Sequence, residues 1–126
     1  MTGYPRWWNQ TVTVYHRTLT TDNRISWSRA TVTGCYVGTP ARSQHDDNAR
    51  RDGAGLICRI PPPCPVLALG DIIVTDACAD EIDEYTPGER STDLLAAHPG
   101  AAFVVSELRD NTLAGLPLPH LYAGGV

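Results

Sequence analysis

The chain has 126 residues, a net charge of −4 and a hydrophobic fraction of 42%, which is one domain's length and enough to bury a core without staples. No apolar run approaches the roughly 18–20 residues of a membrane-spanning helix, and the negative balance argues against a sequence-independent grip on nucleic acid. All ten basic residues are arginine, the cation better suited to bidentate carboxylate pairs and to stacking on rings.

The opening MTGYPRWWNQ lacks the apolar stretch of a secretory signal. It holds Tyr4, Trp7 and Trp8, which with Trp27 form the main aromatic concentration. Such rings cover the end of a small barrel or anchor a subunit contact. Gln10 to Arg17 alternates with Thr, Val and Tyr and reads as a strand. Thr20–Arg24 is turn chemistry. A second β-rich run follows from Ile25, with Ile25 and Trp27 marking a buried face and Gly34 inviting a bulge before Cys35-Tyr36-Val37. Residues 10–37 therefore read as a bent antiparallel hairpin.

Thr39 to Gly55 is polar, dotted with glycine and mixed in charge, a long loop of the functional or mobile kind. Leu56–Ile60 is a short strand, and Pro61–Pro65 a stiff connector without regular pairing. Leu69–Thr75 is the clearest strand, entered through the Gly70-Asp71 turn. Asp76, Asp80, Glu81, Asp83 and Glu84 then give a negative surface. Ser91–His98 reads as a two-turn helix capped by Ser91 or Thr92 and stopped by Pro99-Gly100. Ala102–Leu108 is another strand, leaving through an Arg109-Asp110-Asn111 turn. Room remains for a short edge strand around Leu121-Tyr122. The expectation is one mainly β domain over 1–126: a small antiparallel barrel or sandwich with a long loop at 39–55 and one short helix.

The chemistry-bearing residues point away from catalysis. Cys35, Cys58, Cys64 and Cys78 are separated by 22, 5 and 13 residues, wider than zinc templates ask, and read as reduced, packed thiols. His16, His45, His98 and His120 form no H-E-x-x-H, and no G-x-S-x-G elbow, P-loop or G-x-G-x-x-G is present. The acidic run lacks the D-x-[DN]-x-[DN]-G calcium loop. No catalytic residue, metal or cofactor is expected.

The second half carries an ordered series: Leu69-Gly70-Asp71-Ile72-Ile73-Val74, Asp80-Glu81-Ile82, Ser91-Thr92-Asp93-Leu94-Leu95, Ala102 to Asn111, Pro119-His120 and Gly124-Gly125. With Thr11–Tyr15 and the Trp27 strand, this resembles small structural proteins of tailed bacteriophages and prophages encoded near head–tail joining genes, over residues 8–126. The layout is also similar to phage head-closure, or stopper, proteins, through the loop Thr39–Gly55 and the strand after Gly70-Asp71. The Pro61–Pro65 stretch and the Asp80–Glu84 run with its helix depart from stoppers and leave a tail-end or tail terminator position open. A small non-enzymatic ligand-binding β module is the other alternative.

The resemblance implies a ring of six or twelve copies in the virion neck or tail region, made in the host cytoplasm. Its partners would be portal or adaptor and tail proteins, with double-stranded DNA passing the channel without tight binding and no membrane involved. The expected interface residues are Trp7 and Trp8, the loop arginines Arg42, Arg50 and Arg51, and the acidic Asp80, Glu81, Asp83 and Glu84.

Overall fold

The computed structural model describes residues 6–39, 55–112 and 119–125. Six strands among them close into an antiparallel barrel: β1 (Gln10–Leu19), β2 (Ile25–Gly38), β3 (Leu56–Ile60), β4 (Ile72–Val74), β5 (Ala102–Asn111) and β6 (His120–Gly125). Their order around the barrel is β1-β2-β3-β6-β5-β4, with β4 closing onto β1. The mainly β expectation holds, and the architecture is the barrel.

Alternate residues of each strand fill the interior. Val12, Val14, Cys35, Cys58, Ile60, Ile73, Phe103, Val105, Leu121 and Ala123 form the inner core. Two bulges keep that face apolar as the strands bend. The β1–β2 register slips between Gln10 and Val12, opposite Cys35 and Val32, at Gly34 with φ +75°. That left-handed backbone suits glycine. The extra residue reverses the alternation of β2, so Val32 before it and Cys35 after it both turn inward. The β5–β6 register slips likewise between Val105 and Glu107. At the end of β6 a Cβ on Gly125 would lie 1.9 Å from the Val104 carbonyl oxygen, so only glycine fits.

A second core lies outside the barrel. Tyr15, Ile72, Val74, Cys78, Ile82 and Leu94 bury one another where residues 76–98 cross the outer face of β1 and β4. This segment carries α1 (Ser91–Ala97), the one helix among the described residues. Four successive residues of β1, Val12 to Tyr15, are buried because both faces of the strand are covered. Ile25 and Trp27, read as one buried face, point outward, and Trp27 packs against this second core.

Several local expectations need correction. The strand read over Leu69–Thr75 is only Ile72–Val74, because Gly70 takes φ +94° and Asp71 N–H closes a turn on the Ala68 carbonyl. The helix cap is Arg90, whose backbone is extended; its N–H is held by the Asp93 carboxylate at 3.0 Å. Arg109–Asn111 is strand rather than turn, paired with Tyr122, Leu121 and His120. The terminal strand is no edge, since β6 lies between β3 and β5. Pro61–Pro65 does connect two strands, β3 and β4, and Cys64 and Leu67 in that connection pack on the inner core. Residues 40–54 of the long loop, with Arg42, Arg50 and Arg51, lie outside the described residues.

Candidate functional site

Strands β1 and β4 are opposite β6 and β3 in the barrel order, so the molecule has two outer sides of different chemistry. The β1/β4 side is sheathed by residues 76–98. Three barrel side chains pin that segment. Thr13 Oγ1 donates to the Asp76 carbonyl at 2.8 Å and accepts from Cys78 N–H at 2.9 Å. The Tyr15 hydroxyl donates to the Asp80 carbonyl at 2.7 Å, and Arg29 donates to the Cys78 carbonyl at 3.2 Å. Burial foremost, with Cys78 beside it, pushes the Tyr15 phenol well above its ordinary range.

The segment from Asp76 to Asp93 has seven carboxylates and one arginine. Glu81 accepts from Arg29 at 3.1 Å. Glu84 accepts from the Trp27 indole at 3.0 Å and from Ser91 N–H at 3.2 Å, tying β2 to the start of α1. Asp83 accepts from Tyr85 N–H and the Thr86 hydroxyl, which hold its carboxyl below the usual range. Asp80 and Glu81 keep exposed side chains, at 69% and 68%. The four acidic residues singled out in the sequence thus share one face, where Glu81 and Glu84 also hold the sheath in place.

The same sheath brings three metal-binding atom types together. Cys78 Sγ lies 3.7 Å from His98 Nε2; His98 Nε2 lies 4.0 Å from Asp80 Oδ2. Cys78 is buried, His98 half-buried at the end of α1, and Asp80 exposed. A groove of about 450 Å³ adjoins them, lined by residues including Ala79, Asp80, Arg90, Leu94 and Ala97. The spacing rules that set zinc aside missed this grouping, because His98 arrives through the fold rather than through a local motif.

The opposite side presents a different set of side chains. Tyr36 of β2 faces Arg59 of β3, Arg59 faces Tyr122 of β6, and Tyr122 faces Arg109 of β5. The guanidinium of Arg59 sits 5.1 Å from the Tyr36 ring and 5.7 Å from the Tyr122 ring, and that of Arg109 5.2 Å from Tyr122. Cation and ring therefore alternate across four strands within cation–π range. Glu107 pairs with Arg109 at the end of the row.

Trp8 is buried, packing on Tyr36 at 6.3 Å and edge-on to His120 at 5.8 Å. Of the two tryptophans expected at an interface, Trp8 thus braces this row from within, whereas Trp7 is 67% exposed. The row itself escaped sequence reading, because each strand contributes one residue and only register assembles them.

The other conspicuous polar group is structural. Buried Asp71 accepts from Arg17 N–H at 3.0 Å, Ala68 N–H at 2.8 Å and the His16 ring at 2.6 Å, locking the turn before β4 to β1. The thiols of Cys35 and Cys58 belong to the barrel interior, and that of Cys64 packs against it from the β3–β4 connection. Hydrogen bonding to Cys35, then burial, push the Cys58 thiol up, and burial raises Cys64. Cys58 and Cys64 are poor nucleophiles there, whereas the hydrogen bond from Cys58 lowers the Cys35 thiol.

A family model described as a family of unknown function (DUF6751) matches residues 7–126. No curated protein and no solved structure matches the chain.

Proposed function

We infer a role from these surfaces, because the chain belongs to DUF6751, a family of unknown function that carries no activity over to it. The proposed role is a non-enzymatic structural protein of a tailed phage particle, packed head-to-tail into a ring at the head–tail joint. The carrying observation is the pair of opposite sides: an acidic sheath over β1/β4 and an arginine–tyrosine row over β2, β3, β6 and β5. Two complementary patches at different places on one molecule form a heterologous contact, and such contacts generate rings when the rotation closes. Arg and Tyr are the residue types that concentrate binding energy at interfaces. Trp7, next in the chain to the Trp8 that packs on the row, is exposed.

A ring of six or twelve copies, each at −4, repels the phosphate backbone and lets a duplex slide. Portal or adaptor proteins above it and tail proteins below are the proposed partners. Arg42, Arg50 and Arg51, outside the described residues, are proposed to pair with acidic surface on an adjacent copy. The test is sedimentation of the purified chain across salt concentrations, comparing wild type with R59E/R109E. Wild type is expected to form a defined oligomer that weakens with salt, and the variant to stay a folded monomer. An oligomer equally stable in the variant contradicts the proposed contact.

A further inference from the structure

We propose that Cys78, Asp80 and His98 form a zinc site that clips the acidic sheath to the barrel. A tetrahedral zinc with Zn–S about 2.3 Å and Zn–N or Zn–O about 2.0–2.2 Å sets its ligand atoms roughly 3.3–3.6 Å apart. The Cys78–His98 separation of 3.7 Å is close to this, and the His98–Asp80 separation is 4.0 Å. All three ligand atoms lie within 4.8 Å of one another. Asp80 is the exposed member, so a small rotation of its side chain closes the triangle.

The backbone that presents the ligands is held independently of any metal. Thr13 holds Cys78 N–H, Arg29 the Cys78 carbonyl and Tyr15 the Asp80 carbonyl. Leu94, buried in the outer core, seats α1 so that His98 at its end faces the thiol. Ligands fixed this way lose little freedom on binding.

The ligand set selects the metal. Thiolate and imidazole favour zinc over calcium or magnesium, which want oxygen alone. Binding expels the Cys78 thiol proton to solvent, leaving the thiolate, the neutral imidazole and the carboxylate on the ion. The fourth position, filled by water, faces outward beside the exposed carboxylate. The ion closes the chain between residues 78 and 98, a stretch without strand pairing of its own, so its effect is to stabilise the sheath.

The test uses the full chain, reduced and freed of metal, titrated with Co²⁺ and then Zn²⁺. One equivalent of Co²⁺ per chain is expected, with a thiolate-to-cobalt charge-transfer band that Zn²⁺ abolishes. C78S removes the band. H98Q, at a half-buried position that tolerates glutamine, weakens binding by roughly tenfold or more. C64S, away from the cluster, leaves the titration unchanged. Zn²⁺ raises the melting temperature of wild type and of C64S more than that of H98Q, and Ca²⁺ changes none of them. No saturable Co²⁺ uptake, or uptake unchanged in both C78S and H98Q, overturns the site.

Discussion

The two sides of the barrel teach different lessons. On the β1/β4 side both faces of the strands are buried, because one looks into the barrel and the other, with Thr13 as its polar member, lies under residues 76–98. On the β3/β6 side the strands alternate, with Cys58, Ile60, Leu121 and Ala123 inward and Arg59 and Tyr122 outward with no sheath over them among the described residues. The covered side is where stability is stored. The opposite side carries arginine and tyrosine, the residue types that concentrate binding energy at interfaces.

The sharpest way to break this contrast is to truncate one tyrosine on each side. Tyr15 is fully buried and its hydroxyl holds the sheath, so Y15A is expected to cost about 3–5 kcal/mol in denaturant unfolding. Tyr122 on the opposite side is half-buried, and Y122A should cost about 1 kcal/mol while weakening self-association. Similar losses from both would erase the distinction.

A smaller effect follows from pH. The Tyr15 phenol is raised above its ordinary 10.0 by burial and its neighbours. The folded state therefore disfavours the phenolate that the unfolded chain forms readily. Stability from this group is fully present below pH 10 and is lost as pH rises beyond it. Ultraviolet titration should show one tyrosine that ionises only with unfolding, and Y15F should remove that step.

The smallest effect is on the acid side. Hydrogen bonds from Tyr85 N–H and the Thr86 hydroxyl depress the Asp83 carboxyl. Its contribution is present above the ordinary carboxylate range and is lost as pH falls through the lowered value. D83N should flatten that part of an acid unfolding curve slightly.

Local pattern carried much of the barrel. The β1–β2 hairpin and the bend at Gly34 were legible because alternation and a left-handed glycine are local signals. Closure was not, because Arg109-Asp110-Asn111 is turn chemistry until Tyr122, Leu121 and His120 pair with it. The acidic run was legible as a surface, but not as a sheath. That depends on Thr13, Tyr15 and Arg29 reaching residues about 50–65 positions away. The arginine–tyrosine row and the Cys78–His98 approach depend wholly on register and tertiary packing.

The contact between unlike sides is tested most directly by charge exchange. R59E/R109E makes the row acidic, and D76R/E89R, at exposed positions that do not hold the sheath, reverses charge on the sheath. Each variant alone should sediment as a monomer under conditions where wild type assembles, and an equimolar mixture should recover the assembly as alternating copies. A wild type that stays monomeric at high concentration, or a mixture that stays monomeric while wild type assembles, would contradict head-to-tail packing.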